Sequence, residues 1–144
     1  YVSNHDNEEI GIIVQSEFSR QKYFTKLKHR LSDNGSITVQ TYASKKSNHN
    51  DAEKLEFDGE GIITVIFRQS CKGLEFDTVF IPELQEYSLD QNDEDQFKMD
   101  MYVMTSRARK QVMLMYTNEG NETPGILKYL PGRDNDVLEW KNVR

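Results

Sequence analysis

The chain has 144 residues, 36% of them hydrophobic and 29% charged, with three prolines and eight glycines. That excludes a disordered tract and leaves room for one buried core. A single cysteine excludes an internal disulfide or a multi-cysteine zinc site, and the formal charge of −6 argues against an all-round nucleic-acid footprint. No apolar run reaches membrane-spanning length and no signal peptide opens the chain, so no membrane partner and a cytoplasmic location are expected. The first residue is Tyr1 rather than methionine, which reads as a piece of a larger polypeptide.

Residues 1–9 are polar and are expected to fray. "IGIIV" (10–14) is a continuous apolar run, the pattern of a strand covered on both faces. In "QSEFSRQKYFTKLKHRL" (15–31), Phe18, Tyr23, Phe24, Leu27 and Leu31 fall near helical spacing, with Ser16 or Ser19 as the cap. Gly35 in "DNGS" is predicted to end that helix in a left-handed turn. "ITVQTY" (37–42) alternates as a strand does. A polar connector follows over 43–61, then a second buried strand, "IITVIF" (62–67). After "CKGLE" comes the strand "DTVFI" (77–81), ended by Pro82 and an acidic loop over 83–96.

"QFKMDMYVMTSRARK" (96–110) reads as a helix with Phe97, Met101, Met104 and Ala108 along one stripe. "QVMLMY" (111–116) reads as a strand. "TPGILKYL" (123–130) is predicted as a short helix with Pro124 near its first turn, and 132–144 as a tail. Strands alternating with helices predict an α/β domain over 10–131, a mostly parallel sheet with helices on both faces. Ligands of such sheets collect at the carboxyl ends of strands and the adjoining helix termini.

Few catalytic signatures are present. No phosphate loop G-x-x-x-x-G-K-S/T occurs, nor a G-x-S-x-G elbow, nor H-E-x-x-H. "DGEGIIT" has Thr64 where a dinucleotide fingerprint has its third glycine, and it precedes a strand instead of following one. His5, His29 and His49 are scattered as surface residues are, and Cys71 reads as a packing residue. Two patterns remain. In "QSCKGLEFD", Gly73 permits a sharp turn, Glu75 can accept hydrogen bonds from a ribose hydroxyl or a cation, and Gln69 and Lys72 can face phosphates or bases. A solvated loop with a local ion pair fits the same residues. In "YVMTSRARKQV", Arg107 and Arg109 point to different sides of the expected helix. One arginine there suits transferring phosphate charge, and a cation favouring the helix dipole fits equally.

In order and spacing the two patterns resemble the C-terminal motor domain of superfamily 1 helicases of the UvrD/Rep/PcrA type. "FRQSCKGLEFDTVFIPEL" is similar to motif V, T-x-H-x-x-K-G-L-E-F/W-D-x-V. "MYVMTSRARKQVMLMY" is similar to motif VI, Y-V-A-L/M-T-R-A-R/K. "IGIIVQSEFSR" matches the opening strand-loop-helix more weakly, with Gln15 where the family has arginine and Glu17 where it has asparagine. The resemblance covers roughly 9–117.

It implies a RecA-like domain of the P-loop NTPase type that lacks its own phosphate loop. ATP with Mg2+ would be bound mainly by an N-terminal RecA-like domain of the same polypeptide. Arg107 is then the catalytic arginine finger, with Gly73 and Glu75 beside the nucleotide, and no resident metal belongs to this chain. Gln69 and Lys72 face single-stranded DNA, although the family has histidine at position 69 and threonine or serine at 67.

The K-G-L-E-F-D turn favours the UvrD-like branch, with 3′-to-5′ translocation, over the RecD-like form Q-G-S-E-F/Y-D. The connector 43–61 stands in place of the family's 2B insertion. The expected activity is that of an ATP-dependent DNA helicase in the full-length protein, the fragment alone being inactive. The alternatives are a translocase or regulatory ATPase without unwinding, its acidic loop 83–96 recruiting a protein, or a protein-interaction module.

Overall fold

The computed structural model describes residues 1, 4–5, 7–33, 35–42, 55–57, 59–87, 94–118 and 124–142. Most of the predicted connector 43–61 and the middle of the acidic loop therefore lie outside the described residues. Five strands, β1 (Ile10–Val14), β2 (Thr38–Tyr42), β3 (Ile62–Phe67), β4 (Phe76–Ile81) and β5 (Ala108–Leu114), form one sheet in the order β2-β3-β1-β4-β5. Every pairing is parallel. The α/β class and the parallel sheet expected from the sequence are thus observed.

Among the described residues two α-helices complete the layers, α1 (Glu17–Arg30) and α2 (Glu94–Thr105). The step from β1 to β2 and the step from β4 to β5 run in opposite directions across the sheet. Right-handed crossovers then put α1 and α2 on opposite faces. Between them β1 and β3 are covered on both sides, which is why their sequences are apolar without alternation.

Ser16 caps α1, its hydroxyl accepting from the Ser19 backbone N–H at 3.1 Å; Ser19 is not the cap. The predicted aromatic stripe of α1 is only partly inward, for Phe18 is 79% exposed. The buried positions are Ser19 and Arg20. Arg20 donates to the Thr41 hydroxyl on β2, which donates to the Val65 carbonyl at 2.7 Å, and also pairs with Glu17. A satisfied guanidinium takes the place that apolar spacing gave to a ring.

On the other face Phe97, Met101 and Met104 of α2 pack against Ile13, Ile66, Val79 and Ile81, as their spacing predicts. The helix stops at Thr105, however, and Ala108 belongs to β5, not to the helical stripe. Gly35 does not adopt the expected left-handed turn. Among the described residues the positive-φ positions are Gly61, Gly73 and Glu83. Pro124 caps a 3-10 turn over Gly125–Tyr129, near the first turn as expected, and the short helix is of the 3-10 kind. In the tail, Trp140 packs edge-on to Tyr116, with centroids 6.3 Å apart.

Among the described amino-terminal residues, Tyr1 makes contacts with the body of the domain. Tyr1 stacks on His5 and meets Phe80 edge-on, and its hydroxyl donates to Glu8 at 3.0 Å. Thr78 donates to the same carboxylate at 2.8 Å. Among the described residues no helix is long and apolar enough to cross a membrane.

Candidate functional site

The segment between Phe67 and Phe76 has an awkward task. It joins β3 to β4, which lie on either side of β1, and parallel strands require the chain to return from the carboxyl to the amino end. Such crossovers usually take a dozen or more residues and a helix. Here the return is a short irregular strap. It begins as a 3-10 turn over Arg68–Ser70, anchored by an ion pair from Arg68 to Asp100 of α2.

Cys71 plugs the core beneath the strap, fully buried, its thiol donating to the Arg68 carbonyl at 3.0 Å. Burial pushes that thiol's pKa up, against the opposing pull of the Arg107 charge. It is a packing residue, as predicted. Gly73 turns the strap with φ +86, and a Cβ there would meet nothing within 4 Å, so only backbone conformation asks for glycine.

The strap ends at Phe76, whose ring lies against Gly11 of β1. A Cβ on Gly11 would fall 2.4 Å from the ring, too close for any side chain without movement. Phe76 is 2% exposed, and burying such a ring contributes about 1.5–3 kcal/mol. The strap is thereby seated on the middle strand.

The far end of the strap meets the turn between α2 and β5. The Phe76 N–H donates to the Arg107 carbonyl at 2.8 Å. Glu75, exposed, and Arg107, half-buried, therefore stand at the amino ends of adjacent strands. Arg107 stands where the end of α2 turns into β5, a helix terminus at the amino ends of the strands. The chain reaches the site by running back along the sheet, so the residues before β4 lie opposite to those after β3.

Arg107 follows the end of α2 and curls back on it. Its Nε donates to the Val103 carbonyl at 3.0 Å and its Nη2 to the Ser106 hydroxyl at 2.9 Å. Both partners are neutral, so the charge stands at the helix terminus without a carboxylate in those bonds. Arg109 differs. It lies in β5, not on a helix, and pairs with Glu9 and with Asp77, its Nε 3.4 Å from the latter.

A backbone bond joins the segments that carry Glu75 and Arg107, while the Glu75 charge acts on Arg109, and the five predicted residues are not gathered at one place. Gln69 is exposed on the 3-10 turn after β3, at the carboxyl end. Lys72 is exposed and Gly73 follows it, partway along the strap. Sequence reasoning missed Asp77, Glu8, Glu9 and Lys110, which gather around Arg109. Opposite charges at Glu8-Glu9 and Arg109-Lys110 were the available signal, but nothing local ties positions so far apart. Among the described residues no cluster of three or more potential metal ligands occurs.

Of the acidic loop, Glu83 takes φ 58 and accepts from Lys22 of α1 at 3.0 Å, and Glu94 and Asp95 open α2. Part of that acidity is therefore used within the domain.

The chain is similar in structure to the C-terminal domain of a possible DNA helicase from Lactobacillus plantarum WCFS1, with a TM-score of 0.59 and 19% sequence identity, over 90% of this chain and 67% of that one. No family model matches the chain, and no curated protein sequence matches it. The likeness, at that identity, is one of fold: a five-stranded parallel α/β domain of the RecA-like kind.

Proposed function

We propose that the chain is the second motor domain of an ATP-dependent DNA helicase or translocase. The single observation that supports this is the Phe76-to-Arg107 backbone bond, which joins the segment ending in Glu75 to the one carrying Arg107. Two polar groups of opposite charge at one sheet edge suit a nucleotide held from the other side by a domain with a phosphate loop. Arg107 would meet the charge that develops on the transferring phosphoryl group, and Glu75 the ribose side.

The structural likeness to a possible DNA helicase domain supports the same reading, as does the resemblance to motifs V and VI. On this reading Gln69 and Lys72, at the start and middle of the strap, face single-stranded DNA. The strap itself spans from the nucleic-acid end of the sheet to the nucleotide end. Closing and opening of the cleft would move the strand, in the 3′-to-5′ sense if the UvrD-like turn is a guide. ATP and Mg2+ enter with the partner domain, so this chain alone does not hydrolyse.

A translocase without unwinding keeps every residue role above. Steady-state ATPase with and without single-stranded DNA, run beside unwinding of a partial duplex by the full-length protein, separates the two. DNA-stimulated hydrolysis with unwinding supports the helicase, and stimulated hydrolysis alone supports the translocase. Absence of nucleotide hydrolysis rejects both.

A further inference from the structure

The register of β4 with β5 slips between Phe76 and Thr78. Phe76 pairs with Ala108, yet Thr78 pairs with Gln111. Two residues of β5, Arg109 and Lys110, thus stand opposite the single Asp77. This is a β-bulge, a device that adds local twist and re-aims side chains. Both cations use it. Arg109 Nε and Lys110 Nζ each lie 3.4 Å from the Asp77 carboxylate.

The cluster extends to the segment ahead of β1. The Glu9 N–H donates to Asp77 Oδ2 at 3.1 Å, and the Glu9 carbonyl accepts from the Asp77 and Thr78 amides at 2.9 and 3.2 Å. Arg109 also binds the Glu9 carboxylate, and Lys110 lies 3.9 Å from Glu8. Asp77, Glu8 and Glu9 are mostly shielded, with side chains 16%, 13% and 10% exposed. Three carboxylates and two cations are therefore locked on three segments of chain.

This lock adjoins the Phe76-to-Arg107 bond: Asp77 follows Phe76, and Arg109 lies two residues after Arg107. We propose that Asp77 and Arg109 are positioning residues, an ionic latch at the β5 bulge that fixes the backbone carrying Arg107. The proposal rests on the nucleotide reading above and extends it to residues that touch no nucleotide. A bulged strand end without the latch has a misplaced pairing available to it, and a shift of an ångström at a finger residue lowers turnover far more than affinity.

The test uses the full-length protein with Asp77→Asn and Arg109→Gln, both close in size to the native residues, and Arg109→Lys as the conservative variant. Hydrogen exchange at the Phe76 amide is followed beside steady-state ATPase. The latch predicts Phe76 exchange about tenfold faster in Asp77→Asn and Arg109→Gln. It predicts kcat lowered on the order of tenfold or more with KM for ATP within about twofold, and partial recovery in Arg109→Lys.

Unchanged Phe76 exchange in both variants overturns the proposal, as does faster exchange with kcat and KM untouched. If the wild-type protein hydrolyses no ATP, the nucleotide reading fails. Exchange then decides alone whether the latch holds the Arg107 backbone.

Discussion

The amide of Phe76 donates to the carbonyl of Arg107 at 2.8 Å, joining the end of the β3–β4 strap to the start of β5. The same Phe76 packs its ring on Gly11, so one residue ties the candidate site to the middle of the sheet. Loss of the ring should therefore cost both stability and site geometry. Phe76→Ala is expected to destabilise the domain by about 3–5 kcal/mol, the range for an emptied aromatic core position. Urea unfolding with an unchanged m-value checks it.

Two glycines give opposite tests of why glycine is needed. Gly11→Ala drives a methyl into the Phe76 ring, and overpacking of this kind costs about 1–3 kcal/mol. Gly73→Ala meets nothing in space and is strained only by φ +86, which costs about 1–2 kcal/mol. Combining Gly11→Ala with Phe76→Leu should recover part of the first loss and none of the second. Thermal unfolding of the single and double variants reads this directly.

Acid should loosen the latch. Burial pushes the Asp77 carboxyl up, but the Glu9 backbone amide, Lys110 and Arg109 outweigh it and hold its pKa below the ordinary aspartate value. A lowered carboxyl pKa contributes stability that is present above about pH 4, and it is lost as pH falls through the lower folded value. Asp77→Asn should remove that contribution and flatten the acid limb of the stability curve. It should also cost about 1 kcal/mol at neutral pH from the charged hydrogen bonds it weakens. Denaturant midpoints between neutral and acid pH measure both effects.

Alkali acts at two phenols. Burial pushes Tyr23 up to about 12, with Glu83 adding to it, and burial pushes Tyr87 up to about 12 against the pull of Gln15 and Arg68. A raised pKa contributes stability that is complete below the ordinary tyrosine value of about 10, and it is lost as pH climbs toward 12. Unfolding and phenolate absorbance should rise together in that window. Tyr87→Phe should reduce the alkaline loss while forfeiting the hydroxyl's contact with Met104 sulfur at 3.6 Å.

Much of the sheet was legible because its residues answer to one local rule. "IGIIV" and "IITVIF" are apolar but for Thr64 since both their faces are covered, and the observed strands coincide with those runs. The α2 stripe of Phe97, Met101 and Met104 was equally plain. The end of α2 was not. "SRARK" has the charge and spacing of a helix tail, and only pairing with β4 and the bulge at Asp77 make residues 108–110 a strand. Edge position explains the polarity, since β5 lies at the rim of the sheet and cations there discourage edge-to-edge pairing.

The α1 face misled for a related reason. Arg20 is buried by a partner on β2, which no helical period encodes. The site divides in the same way. Motifs single out Gly73, Glu75 and Arg107, and the bond from Phe76 to Arg107 that joins their two segments is a product of the fold. Glu9 finds Arg109 100 positions later, beyond any pattern read along the chain.

The proposed role of Arg107, completing a nucleotide site begun by another domain, is decided by one comparison. In the full-length protein, DNA-stimulated ATP turnover and nucleotide affinity are measured for wild type, Arg107→Lys and Arg107→Ala. Loss of an arginine finger should lower kcat in Arg107→Ala by about 10³-fold or more while ATP still binds with affinity within a few-fold of wild type. Arg107→Lys should restore only a small part of the rate, because a point charge does not reproduce the planar fork. Turnover by Arg107→Ala at a rate close to wild type, with the protein folded and nucleotide bound, would contradict the account.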